Sequence, residues 1–409
     1  MNLSHPSPLL IIGGGIGGLG TALALARTGQ PTHVLERAPQ FAEIGAGLQL
    51  GPNGLRVLAQ LGLYERVVAN AVLLQRAVVR DAESGKVITE LSLTNTLVPR
   101  YGYPYAAVHR ADLLEALLEE CQRHPLVRLN AGSEVVAVEQ AADEVTVVCK
   151  NGDSYQAPAV IGADGLHSAI RAYVHGDAPA ECSQFVAYRG TVRVDQLPPG
   201  VRTDSITLWL GHDYHLMQYP IRSGELFNQV AVFRSDSYDP DTDLGGTTEE
   251  LDARFAQAIG PVRECVQLVG RDRRWALFDR SSDRTWHRER VLLVGDAAHP
   301  MQQYLAQGAG QALEDAVSIA SHIQTHGMDF TSAFKAHESS RLPRATAMQT
   351  YSRFWGELSH VGGPAKVIRD AYLRLREPDD MTYLDWLYAD PPRAEVFAPD
   401  TGETRLETA

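Results

Sequence analysis

The sequence predicts an α/β protein: a Rossmann-like nucleotide-binding domain, interrupted by an inserted β-sheet domain and followed by a helical C-terminal region. Three observations carry this. Residues 9 to 36 read strand, glycine turn, helix, strand; two later apolar strands end in Gly-Ala-Asp-Gly (162–165) and Gly-Asp (295–296); and residues 205 to 233 alternate with the period of two that marks antiparallel strands. At 409 residues the chain exceeds what one core usually supports and divides into two or three domains.

The first unit, "PLLIIGGGIGGLGTALALARTGQPTHVLER", gives a short buried strand at Leu9–Ile12, a helix ending near Gly29 and a second strand from Thr32 to Glu36. Gly13, Gly15 and Gly18 fall at the strand-to-helix turn in the spacing G-x-G-x-x-G. Glycines there let the chain turn tightly, let backbone N–H groups approach a pyrophosphate and let the helix pack on the sheet. Glu36 ends the second strand, where a carboxylate accepts hydrogen bonds from ribose hydroxyls. Its charge disfavours a 2'-phosphate, so the nucleotide is FAD or NAD rather than NADP, and this fingerprint alone does not choose between them. The run Leu9 to Ala26 has no charged residue, but six of its residues are glycine and no basic residue precedes it, so neither a signal peptide nor a membrane span is expected.

Further along, "SITLWLGHDYHLMQYPIRSGELFNQVAVF" reads as three antiparallel strands joined at Gly211-His212-Asp213 and Arg222-Ser223-Gly224. In its middle strand the period of two places His215, Met217 and Tyr219 on one face, with Leu216 and Gln218 on the other. His215 and Tyr219 then stand about 13 Å apart, enough to bracket one aromatic ring. Beyond residue 330 the pattern is helical.

Composition narrows the partners. A formal charge of −13 argues against nucleic acid or an anionic membrane, which reward clustered Lys and Arg. The cysteines Cys121, Cys149, Cys182 and Cys265 are widely separated, with neither a C-x-x-C pair nor neighbouring His ligands. No disulfide framework or metal site is expected, and a reducing, cytoplasmic setting is.

The glycine turn, "VIGADGLHSAIRAYV" and "VLLVGDAAHP", in that order and at these separations, resemble the single-component FAD-dependent aromatic hydroxylases over about residues 9 to 330. The resemblance implies the p-hydroxybenzoate hydroxylase type of FAD-binding domain and explains why glycine motifs recur. FAD is long; its adenine half takes the first turn, and its ribityl and isoalloxazine half is held elsewhere. Asp296 would accept from a ribityl hydroxyl, and the helix opening at Gly308-Ala309-Gly310 would aim N–H groups at the flavin pyrimidine edge. Arg110 and Asp164 are implied cofactor contacts, Asp164 toward the reduced nicotinamide as well, and Arg37 and Gln49 are assigned with them. No second nucleotide-binding unit follows; Gly45-Ala46-Gly47 lacks a flanking strand and helix and reads as a loop near the flavin. A nicotinamide donor is therefore expected to bind transiently, and the resemblance implies that it is NADH.

Within that family, "YPYAAVHR", "AYRG", "YHLMQYP", "QYLAQGA" and "FWGEL" are similar to the members that hydroxylate 3-hydroxybenzoate. Gln302-Gln303-Tyr304 stands where many other members carry an apolar, proline-containing loop, whereas Gly310-Gln311 follows the wider family. The resemblance implies His215 and Gln303 as catalytic residues and Tyr105 and Tyr219, with Met217, around the substrate. The implied reaction uses O2 and NADH through a flavin C4a-hydroperoxide to place oxygen para to the phenol, giving gentisate. A salicylate or hydroxynicotinate hydroxylase, a flavin oxidase or dehydrogenase, and a cofactor-holding regulatory protein are the alternatives.

The expected organisation is an FAD domain from residues 1–75, 105–179 and 271–330, a substrate domain from 76–104 and 180–270, and a helical region over 331–409. Aromatic residues in the tail "PDDMTYLDWLYADPP" suit a dimer contact or packing on the chain itself; a homodimer is the expected assembly.

Overall fold

Apolar runs of three or four residues, too short for helices, are buried here as parallel strands covered on both faces, which is why they read as continuous hydrophobic stretches. In the computed structural model, which describes residues 7–42, 46–176, 180–280 and 285–389, these runs form a six-stranded sheet. Its order is His287–Arg288, Val291–Leu293, Val160–Gly162, Leu9–Ile12, Thr32–Leu35, Val127–Asn130, parallel except for the first pair. The three motif turns therefore follow the carboxyl ends of three adjacent strands, the place where open α/β sheets bind cofactors. Helix Ile16–Arg27 packs on helix Gly308–His326, with Gly17 and Gly20 facing Ala312, Leu313 and Ala316. Small residues at this crossing bring the first glycine turn and the Gly308 helix start together.

The second large sheet has seven strands in the order Arg274–Asp279, Glu181–Arg193, Leu226–Arg234, Tyr214–Ile221, Ser205–Gly211, Arg76–Asp81, Val87–Ser92. The three strands expected over 205 to 233 form with turns at His212-Asp213 and Arg222–Gly224. One boundary moves. Arg274–Asp279 falls in the stretch 271–330 assigned to the FAD domain, yet it pairs antiparallel with Glu181–Arg193, because that edge has free backbone groups to satisfy. Helices Thr248–Arg254 and Gly260–Gln267 cover one face of the sheet, where Leu216 and Tyr214 pack with Phe255 and Val262.

The C-terminal region is helical as expected: Phe330–His360 packs along Gly308–His326, and Gly363–Arg374 follows. In the tail, Tyr388 is buried against Tyr101 and Tyr105 of its own chain. Residues 1–6, 43–45, 177–179, 281–284 and 390–409, to which parts of the expected spans refer, lie outside the described residues. Among the described residues no helix is long and apolar enough to cross a membrane, and no group of His, Cys, Asp and Glu could hold a metal ion.

Candidate active site

A cavity of about 530 Å³ lies between the two large sheets. Cross-strand registry builds one wall. Thr89 pairs with Val79, Val79 with Leu208, Leu208 with Met217, Met217 with Val230, and Val230 with Arg189, so one row of side chains crosses the sheet on the cavity side. His215 and Tyr219, two residues either side of Met217, share that face. The row is apolar except at its ends, Thr89 and Arg189.

The opposite side holds the glycine turns. Gly15, Ala163, Gly165, Gly295, Asp296, Gly308 and Ala309 line the same cavity, together with Arg110 and Gln49. Gly13, at φ +107, and Gly18 are crowded: a Cβ on Gly13 would stand 2.4 Å from the Ala163 carbonyl oxygen, and one on Gly18 1.9 Å from the Gly13 oxygen. At Gly15 a Cβ would meet nothing within 4 Å. This is the open ground a pyrophosphate needs beside backbone N–H groups. Both oxygens of Glu36 are held at the sheet edge, accepting from Gly14 N–H at 2.6 Å and Ala38 N–H at 2.7 Å. Arg37 is exposed beside it and, like Glu36, lies off the cavity wall.

Asp164 differs from its expected orientation. Its carboxylate accepts from Ser168 Oγ at 2.5 Å and Ala169 N–H at 2.8 Å, capping helix Ala169–His175 rather than lining the cavity, while its neighbours Ala163 and Gly165 do line it. Burial raises its carboxyl above the usual range, opposed by these hydrogen bonds. Arg171 of the same helix donates to the carbonyls of Ala297 at 2.8 Å and Ala298 at 2.9 Å, tying the D-G turn to the G-D turn.

Elsewhere on the cavity, Tyr105 donates to Gln49 Oε1 at 2.9 Å, and Tyr219 is buried nearby. Burial pushes both phenols well above their ordinary range, so they act as neutral hydrogen-bonding groups. Gln303 opens the short turn Gln303–Leu305 on the cavity wall. His215, 3% exposed, places Nδ1 2.8 Å from Nε2 of His360. Burial first, and His360 second, hold the His215 ring well below its ordinary pKa, hence neutral.

Several residues at this site escaped the sequence reading. His360 and Tyr388 have no part in it, and Tyr304, Trp355 and Arg189 enter it only within longer motifs, yet all sit on the cavity or against its histidine. Beneath the Gly295 turn, Asp315 accepts from Gly295 N–H at 2.9 Å, contacts His299 at 2.5 Å and binds Arg341 at 2.7 Å, while Glu314 binds Arg341 and Arg344. Two adjacent acids, Glu314 and Asp315, among the buried positions near the helix start were the available signal.

The cavity therefore presents, along one continuous surface, a glycine cradle, a carboxylate at the Gly-Asp turn, a helix N-terminus and an aromatic pocket, and these fit a flavin dinucleotide. The family model described as an FAD binding domain matches residues 7–352. The chain belongs to this family of FAD-binding flavoprotein hydroxylases. Over 93% of its length it is 36% identical to a 3-hydroxybenzoate 6-hydroxylase of Polaromonas naphthalenivorans, covering 95% of that protein. It is 37% identical to a 3-amino-4-hydroxybenzoate 2-monooxygenase of Streptomyces platensis, over 94% of this chain and 96% of that one. Among solved structures, Klebsiella pneumoniae HpxO complexed with FAD and uric acid superposes with a TM-score of 0.79 at 28% identity, over 90% of this chain and 93% of HpxO. The protein is an FAD-dependent aromatic hydroxylase of this family, with the α/β architecture expected for it.

Proposed function

We propose that this hydroxylase converts 3-hydroxybenzoate, NADH, a proton and O2 into 2,5-dihydroxybenzoate (gentisate), NAD+ and water. The observation that supports the reading most is a neutral, buried histidine, His215, on the same cavity wall as the Gln303 amide. Bound FAD, reduced by NADH, supplies an electrophilic oxygen derived from O2.

A phenol reacts with such an oxygen once it loses its proton, because the phenolate directs charge to its ortho and para carbons. His215 Nε2 is suited to take that proton, and Gln303 to orient the same hydroxyl. Tyr105 and Tyr219 would hold the ring and its carboxylate from the opposite end. Leu208, Met217 and Val230 keep the reacting centre dry, which matters because water diverts the oxygen to hydrogen peroxide. Asp296, Gly308, Ala309, Arg110 and Gln49 would hold the flavin half of FAD, and Gly13, Gly15, Gly18 and Glu36 its adenosine half. The reading includes a transient NADH site, a homodimer and a cytoplasmic setting, in keeping with four free cysteines. The equally similar Streptomyces platensis relative favours 3-amino-4-hydroxybenzoate as a second reading.

The test is product analysis of the purified holoenzyme with NADH under 18O2, offering 3-hydroxybenzoate, 3-amino-4-hydroxybenzoate, salicylate and 6-hydroxynicotinate in turn. Gentisate carrying one 18O is expected from the first. His215→Ala is expected to keep FAD and substrate-stimulated NADH oxidation while product falls about 100-fold or more and hydrogen peroxide rises to match. Parental rates of gentisate formation by His215→Ala would remove the base assignment. A labelled product from another acid alone would replace the substrate.

A further inference from the structure

His215 lies in strand Tyr214–Ile221 and His360 ends helix Phe330–His360, yet the fold brings His215 Nδ1 to 2.8 Å from His360 Nε2. The two rings lie 29° apart at 5.0 Å, and the His360 ring stacks on Phe185 at 4.3 Å and 21°. The backbone also holds the pair, since Asp213 N–H donates to the His360 carbonyl at 3.1 Å. His360 is 5% exposed. Neither ring is free to turn without losing packing.

A contact of this length between two ring nitrogens needs one proton in it, because two N–H groups or two lone pairs facing each other would repel. Burial holds both rings neutral, His360 at about 4. Each ring then carries one proton, and only two arrangements remain. Either His215 donates from Nδ1 and keeps a lone pair on Nε2, or His360 donates and His215 carries its proton on Nε2. The reading of His215 as the base chooses between them, because a ring that takes the substrate proton on Nε2 carries its own proton on Nδ1. That arrangement puts the His360 proton on Nδ1, which is buried and makes no hydrogen bond, while the Gly356 backbone one helical turn back favours a proton on the His360 ring. Arg369 and His212 oppose any further charge, and Tyr304 is the remaining titratable group in ring contact with the pair. With His360 Nδ1 protonated, its Nε2 can only accept.

We propose that His360 is a positioning residue that fixes His215 in the tautomer protonated on Nδ1, leaving the Nε2 lone pair to the cavity. The proposal rests on the reading of His215 as the base that takes the substrate proton. His360 does not touch substrate; it decides which nitrogen of His215 is basic.

Imidazole 15N NMR of holoenzyme labelled at histidine tests this without any substrate, the two residues being assigned from signals lost in His215→Ala and His360→Phe. His215 is expected with a protonated Nδ1 and an unprotonated Nε2, and in His360→Phe it is expected to populate both tautomers. His215 protonated on Nε2 in the parent, or an unchanged tautomer in His360→Phe, overturns the proposal. His360→Gln, whose amide oxygen can accept, is expected to restore the parental tautomer, and flavin absorbance reports that each variant is folded. With 3-hydroxybenzoate, His360→Phe is expected to lower kcat for hydroxylated product about 10-fold, with KM little changed and recovery in His360→Gln. The stated tautomer together with full activity of His215→Ala would leave the positioning intact and refute only the base.

Discussion

Gly15 and Gly18 stand three residues apart in one motif and do different work. Gly18 is needed by the fold itself, since a Cβ there would stand 1.9 Å from the Gly13 carbonyl oxygen. Gly15, at φ −77 with no atom within 4 Å of a Cβ, is needed only by what occupies the space beside it. Gly15→Ala is therefore expected to leave apo-protein stability within about 0.5 kcal/mol while weakening FAD binding by tenfold or more. Gly18→Ala is expected to lower apo-protein stability. Urea unfolding of flavin-free protein and fluorescence titration with FAD check the pair; equal stability losses for both would place Gly15 in the packing. The motif alone could not make this distinction, because spacing along the chain does not say which neighbour fills the room. His215, Met217 and Tyr219 were legible as one face, since alternation along a strand is local. His360 was not, because its partner is 145 residues away and nothing near it in sequence differs from an ordinary helix end.

Helix Gly308–His326 shows how an element can be placed by charges that the cavity never sees. Glu314 and Asp315 are adjacent on this helix, Asp315 fully buried and Glu314 nearly so, and both pair with the neighbouring helix, Asp315 with Arg341 and Glu314 with Arg341 and Arg344. Burial alone would raise both carboxyls, but the guanidiniums and His299 prevail, holding Glu314 at about 2 and Asp315 far below its ordinary range. Because Asp315 also accepts from Gly295 N–H, the cluster fixes the Gly-Asp turn relative to the Gly308 helix start. Arg341→Ala leaves two buried carboxylates short of a counter-charge, so a loss of about 3–5 kcal/mol is expected, with weaker flavin retention. Thermal unfolding and the flavin content after gel filtration measure both; a stable, fully flavinated variant would show that Arg344 suffices. The helix itself could be read from its period and glycine start. The network could not, since an Arg-x-x-Arg spacing marks one helix face without naming the helix it meets.

Across the whole molecule, burial of neutral histidines makes stability depend on pH. His215, His337 and His360 all titrate below their ordinary value, His337 at about 3 and His360 at about 4. In the unfolded chain each takes up its proton near 6.5, so between pH 6.5 and about 4 the unfolded state holds more protons than the folded one. Stability is therefore full above pH 6.5 and declines as pH falls, by at most about 1.4 kcal/mol per unit for each group. Urea unfolding at pH 7 and pH 5 is expected to show that decline, and His337→Gln to flatten it; an unflattened slope would assign the loss elsewhere. The sequence by itself determined the local units: strand, glycine turn and helix, the alternating face of "YHLMQYP", and the acidic residue closing the second strand. Those follow from spacing within a few residues, where backbone geometry decides. Only the tertiary structure decided that the three motif turns meet at the ends of adjacent strands, that Arg274–Asp279 joins the seven-stranded sheet, and that His360 faces His215. Joining distant segments costs little more as the intervening chain lengthens, so separation in sequence says almost nothing about which surfaces will touch.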